Sequence, residues 1–215
     1  MIDLPAIHHI PDLHKKDFRR REIYRYLRLE GSEPDEAIKR DVERNLNRLL
    51  KTAQIAKTAE LRPVSREENL LRFGTFQTES RVLAENLKTS EYVVLFAITL
   101  GAAVDRLINR LTIVSKTDAF MTDACATEVL ESYANSYCKE VKEAAAHYDL
   151  TTHPRFSPGF ADFGLEHQWP LIRTLKADKK IHIALTEGNM LIPTKTITAV
   201  MGLDQRRQDD FTRRS

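Results

Sequence analysis

Two stretches of the chain combine special backbone geometry with charge. Arg155-Phe156-Ser157-Pro158-Gly159-Phe160 sets an arginine before a Pro-Gly turn and an aromatic after it. Such a turn aims backbone amides and carbonyls at a ligand, while a guanidinium grips a carboxylate or phosphate. Thr186-Glu187-Gly188-Asn189 leads into short apolar runs on each side of Pro193, which predicts two strand segments separated by a kink. A third candidate is Glu131, a carboxylate among apolar and small neighbours in a helical stretch. It either lies solvated at the helix edge or faces inward, where it needs a cation, and a ligand ammonium would serve. Together Glu131, Arg155, Gly159 and Thr186-Glu187 suit a zwitterion joined to a flat heterocycle. An arginine before a Pro-Gly turn is more often a structural clamp on carbonyls than a ligand anchor, and spacing alone leaves both readings open.

Other chemistries find less support. No Ser/His/Asp or Cys/His constellation is visible, and His153, His167 and His182 lack metal-site spacing, as do His8, His9 and His14, which have no acidic or Cys cluster beside them. The Gly101 turn between a strand and a helix carries neither GxGxxG nor GxxxxGK[ST]. Lys15, Lys16, Arg19, Arg20, Arg21, Arg25 and Arg28 form a basic run, but Glu22, Glu36, Asp41 and Glu43 dilute it, so a charged outer helix face is favoured over a nucleic-acid surface. Cys125 and Cys138 stand 13 positions apart, about 20 Å along a helix, and are read as two buried, reduced thiols.

The elements that must position these residues follow from patterning. The chain has 215 residues, 42% apolar and 30% charged, with net charge +2, which suits one sizeable soluble domain or one domain with a small annex. The longest apolar run, residues 92–100, is about half a membrane span, and the N-terminus has no basic region or apolar signal core, which points to a cytoplasmic protein. Residues 13–30 and about 35–53 predict a helical pair, with Gly31 ending the first helix and Ser32-Glu33-Pro34-Asp35 starting the second; residues 1–54 read as a helical annex. Strands are expected over 55–65 and 70–76, a short helix over 79–87, and a strand covered on both faces over 92–100. A helix follows Gly101, then a long one over 117–147 whose core side includes Phe120, Ala124, Val129, Tyr133, Tyr137 and Val141. Residues 165–175 predict a helix, and the tail from Asp204 is expected to fray.

On these residues the chain resembles a family. Arg155-Phe-Ser-Pro-Gly159-Phe160 is similar to the Arg-x-x-x-Gly-Tyr motif of the activation (reactivation) domain of cobalamin-dependent methionine synthase. Thr186-Glu187, Pro193 and Thr196-Ile197-Thr198 resemble that domain's Thr-Glu … Pro-x-x-Ser-Val-Ser segment, and residues 123–134 resemble its Ala-rich helix. The resemblance runs from about residue 90 to 203 and assigns residues 55–215 to an activation-like domain. It implies an α+β fold, a curved antiparallel sheet with flanking helices, to which the N-terminal helical pair is added. It also implies binding of S-adenosylmethionine: Arg155 on the methionyl carboxylate, Glu131 on the amino group, backbone groups of Ser157 and Gly159 at the adenosine, Phe160 packed against it, and Thr186 and Glu187 in the same site.

In the family this domain docks over a cobalamin module after cobalt has oxidised. An electron donor protein reduces the metal while S-adenosylmethionine supplies a methyl group, which needs close, in-line positioning. The chain departs from the pattern at Phe160, where the family has Tyr, and at Ser157, where it has Ala; an early acidic residue has no match. No cobalamin-binding Asp-x-His-x-x-Gly loop is present. The expectation is therefore an activation subunit with no complete active site of its own. It would act in trans on the cobalamin module of a methionine synthase or another corrinoid methyltransferase. The alternative is a docking or scaffold module that keeps the fold and has lost the ligand, its pocket plugged by Phe160 and Met190.

Overall fold

The computed structural model describes residues 7–29, 33–67 and 70–205. The expected boundary residues Gly31 and Ser32 and the segment beyond 205 lie outside the described residues. In chain order the elements are α1 (Arg20–Tyr26), α2 (Glu36–Thr52), β1 (Ala56–Pro63), β2 (Ser65–Glu67), β3 (Leu70–Phe73), β4 (Phe76–Thr78), α3 (Arg81–Asn86), β5 (Tyr92–Thr99), α4 (Ala102–Val114), α5 (Lys116–Ala146), β6 (Leu150–Thr152), α6 (Gln168–Leu175), α7 (Ala177–Lys180), β7 (Ala184–Leu185), β8 (Leu191–Ile192) and β9 (Thr196–Gln205).

The main sheet is antiparallel, in the order β1-β5-β9-β6. Its centre is the apolar run expected to be covered on both faces, and it is. Side chains alternate along a strand, so Val94, Phe96 and Ile98 enter one core with Val42, Leu46, Leu49, Val129, Tyr137 and Val141 from α2 and α5. Val93, Leu95 and Ala97 enter another with Leu171, Ile172 and Leu175 of α6, Leu83 of α3, and Phe73 and Phe76 of the small β2-β3-β4 sheet. The fold is α+β, with antiparallel sheets and flanking helices.

Several expectations are revised by tertiary contacts. The first helix is not continuous over 13–30: a 3-10 turn at Lys15–Asp17 gives way to extended backbone at Phe18 and Arg19 before α1 begins. The break lets Phe18 bury beside Tyr133 and brings the Arg19 amide onto Glu128 at 3.0 Å. Four of the seven cations of the basic run are paired internally, with Lys15 and Arg20 on Glu43, Arg19 on Glu128 and Arg25 on Glu22. Residues 70–76 form two strands of a hairpin turning at Gly74-Thr75. Phe120 is 52% exposed at the start of α5 and supplies no core side. Asp204 does not begin a frayed tail: it pairs in β9, and its carboxylate accepts from Thr89, from Ser90 at 2.7 Å and from His153 at 2.7 Å.

The Pro-Gly loop is anchored from outside itself. Asp162 accepts the Ser80 hydroxyl at 2.6 Å and the Arg81 and Val82 amides at 2.7 and 3.3 Å, which satisfies open donors at the start of α3. The Ser80 hydrogen bond, followed by those amides, holds the Asp162 carboxyl below its ordinary value. A depressed carboxylate contributes stability above its unfolded value and loses it as pH falls through its folded value.

Two measurements check this architecture. Leu46 is fully buried in the core that α2 shares with the sheet, so Leu46→Ala is expected to cost about 2–5 kcal/mol in urea unfolding. Trp169, the only tryptophan, stands on α6 across the sheet; its fluorescence midpoint shifts with that substitution if residues 1–54 fold as one unit with the rest, and stays put if they form a separate annex. The stability gap between wild type and Asp162→Ala should be constant above about pH 5 and close progressively below about pH 4, near the unfolded aspartate value.

Candidate functional site

Arg155 is aimed by an irregularity in β9's outer partner. Thr152 lies opposite Leu203, and Phe156 opposite Val200, so four steps on one strand face three on the other. Pro154, which has no amide to give the ladder, sits inside this bulge. The His153 amide still reaches the Gly202 carbonyl at 2.9 Å, and Phe156 and Val200 exchange both backbone bonds at 2.8 and 2.9 Å. Phe156 therefore enters the core beneath α6, and Arg155 turns toward α5.

There it meets Glu131. The Arg155 Nη2 donates to Glu131 Oε2 at 2.5 Å, with both side chains largely covered at 21% and 31% exposure. Glu131 therefore lies between the two alternatives, half-buried at the helix edge, and its cationic partner is Arg155 itself. The other guanidinium nitrogen, Arg155 Nη1, is out of contact with solvent and has no hydrogen-bond partner among the described residues. A buried donor left unpaired is costly and is a place where a ligand acceptor is readily explained.

Neighbouring groups set the electrostatics. Burial, then the Glu131 carboxylate, pushes up the Tyr26 phenol of α1. Burial pushes the Cys138 thiol up to about 11, so it is unreactive near neutrality despite the nearby guanidinium. Cys125 is a free, buried thiol pushed up to about 12, whereas Cys138, also free, is only partly buried, so the expectation of two buried thiols holds for Cys125 alone. One turn before Glu131, Glu128 is fully buried and saturated by the Arg19 amide, the Arg19 side chain and the Ser132 hydroxyl at 2.7 Å. Sequence reasoning missed Glu128 and Tyr26. Both glutamates have similar local surroundings in the chain, and only the packing of residues 19–26 on α5 tells them apart.

The turn after Arg155 is tight. The Gly159 amide donates to the Phe163 carbonyl at 2.7 Å, the Phe163 amide to Phe160 at 3.0 Å and the Phe160 amide to Ser157 at 3.3 Å. Gly159 has φ +97°, and an added Cβ would lie 3.0 Å from Leu165 Cδ2, so glycine is required there. Phe160 stands edge-on to Phe156 at 5.2 Å and is 62% exposed, while Met190 is 57% exposed.

Thr186 and Glu187 lie elsewhere, in the turn between β7 and β8. Thr186 organises that turn, its amide on the Met190 carbonyl at 2.9 Å and its hydroxyl accepting the Met190 amide at 3.1 Å. Glu187 is exposed. Among the described residues, no hydrogen bond or ion pair links either one to Arg155 or Glu131. The expected kink lies at the cis Ile192-Pro193 bond between β8 and β9. Among the described residues no group of three or more His, Cys, Asp or Glu could hold a metal ion, and no helix is long and apolar enough to cross a membrane.

No family model matches the sequence, and no curated protein matches it. Among solved structures the chain is similar to the crystal structure of the MetH reactivation domain bound to AdoHcy, with a TM-score of 0.64 and 17% sequence identity. The alignment covers 85% of this chain and 74% of that one. At that identity the likeness shows the fold: this chain has the fold of the MetH reactivation domain.

Proposed function

We propose that the chain binds S-adenosylmethionine at Arg155 and Glu131 and serves as an activation module for a cobalamin-bearing partner, a methionine synthase or a related corrinoid methyltransferase. The observation that carries this reading is the unpartnered, solvent-excluded Arg155 Nη1 beside a Glu131–Arg155 pair, on a fold whose MetH counterpart is bound to AdoHcy. A methionyl zwitterion can enter that pair without stranding a charge. Its carboxylate takes the guanidinium, including the open Nη1, and its ammonium takes Glu131, so every buried charge keeps an opposite partner. Ser157, Gly159 and the exposed ring of Phe160 border the adenosine, and Thr186 and Glu187, on the separate β7–β8 turn, have no part in this reading. The chemistry such a ligand supplies is its sulfonium methyl group, with cobalamin carried by the partner and an electron donor protein completing the set. This chain's residues bind and orient the ligand and keep water from it.

A second reading is favoured by one feature: Arg155 and Glu131 already satisfy each other at 2.5 Å. Under it, the chain is a docking module for a corrinoid protein that no longer takes the ligand.

Titration calorimetry with S-adenosylmethionine separates the two. Binding heat is expected from the wild type, with affinity falling about ten- to a hundredfold in Arg155→Ala and in Glu131→Gln, as for loss of a charge-assisted hydrogen bond. No heat from the wild type leaves the docking module standing. If binding occurs, Phe160→Tyr should tighten it by ~0.5–1.5 kcal/mol, because it adds a hydroxyl where the resembling motif has one.

A further inference from the structure

We infer that a second site, a cationic cleft at the far end of the main sheet, takes a phosphate group. The cleft has a volume of about 430 Å³, room for a phosphate and a small organic body. Arg106 from α4 and Lys180 and His182 from the segment ending α7 line it, and no Asp or Glu is among its lining residues. Among the described residues neither Arg106 nor His182 has a side-chain hydrogen bond or ion pair, and Lys180 has only Glu60, at 3.5 Å, and the Thr58 hydroxyl, also at 3.5 Å. The nearest acid in sequence, Asp105, is turned to other work: it accepts the Thr194 amide and hydroxyl, each at 2.8 Å. Ile181 and Ile183 are buried on either side of His182, which holds the imidazole outward at the cleft.

Two cations from two elements, Arg106 with no acidic partner among the described residues and Lys180 with only the 3.5 Å contact to Glu60, converge with the His182 imidazole on one concavity that no acid lines, which leaves positive charge for an oxyanion to neutralise. The start of α4 adds to this. Gly101 and Ala102 line the cleft, and no side chain caps the helix; the Gly101 amide goes to the Thr99 hydroxyl and the Val104 amide to the Gly101 carbonyl, which leaves the Ala102 and Ala103 amides as first-turn donors for an anion. The site is separate from Arg155. Thr99 of the cleft pairs with Thr196, four residues along β9 from the Val200 opposite Phe156, about 13 Å at the rise of a strand.

Amide NMR of the whole chain, in buffer free of phosphate, tests the assignment with inorganic phosphate in one arm and glycerol 3-phosphate in the other. Saturable shifts are expected at Gly101, Ala102 and Arg106; tighter binding of the ester identifies an organic phosphate as the occupant, and equal binding identifies free phosphate. Arg106→Ser should weaken the interaction about tenfold or more, and Arg155→Ala should leave it unchanged. Arg106 and Lys180 are exposed, so an unaltered spectrum away from the cleft verifies that their variants fold. The absence of saturable shifts at millimolar ligand in both arms, or equal binding by the Arg106→Ser, Lys180→Ser double variant, overturns the inference.

Discussion

The structure depends on the burial of β5 on both faces. Seven of its eight residues, Val93 to Thr99, are buried, so the strand cannot lie at a surface and needs a cover on each side. The cover on one side is α5 with α2 and α1; on the other it is α6 with α3 and the small sheet. β9 shares this constraint along its register with β5, from Thr196 opposite Thr99 to Leu203 opposite Tyr92. Only after both faces are closed does the strand beyond β9 have a floor against which a bulge can turn Arg155 toward α5.

Two carboxylates one turn apart on α5 then meet different fates. Glu128 is wholly buried, and its oxygens are satisfied by Arg19 and Ser132. It clamps the N-terminal segment to the helix, and removing one partner would strand a buried charge. Glu131 is half-buried and shares Arg155, whose second nitrogen lacks an acceptor. The first arrangement is closed, whereas the second has a donor to spare. That difference, more than the presence of a Glu and an Arg, supports the proposed ligand site on the Arg155 side of α5.

Much of this was legible in the chain. The apolar run of β5, the long helix α5, the α2 stripe and the kink at Pro193 follow from period, length and proline chemistry, which act locally. Arg155, Gly159 and the turn around them were legible because only a few residue types tolerate such backbone. What failed was non-local. The helix expected over 13–30 is interrupted because Phe18 gains more from the core than from helical backbone, and Asp204 is ordered because Thr89, Ser90 and His153 reach it from distant parts of the chain. Phe120 looked like a core residue by spacing, yet it falls at the exposed start of α5, beyond the reach of the sheet.

By itself, then, the sequence determined the type of the long elements α2, β5, α4 and α5, that the central strand is covered twice, and that an arginine precedes a glycine-dependent turn. These are set by side-chain period and backbone sterics within a few residues. Tertiary structure alone decided that Arg155 pairs with Glu131 and Arg19 with Glu128, and that Arg106, Lys180 and His182 share one cleft while Thr186 and Glu187 stay on a separate turn. Those outcomes rest on the relative placement of elements separated by 24 to 109 residues along the chain, where contact depends on how two layers pack against one sheet.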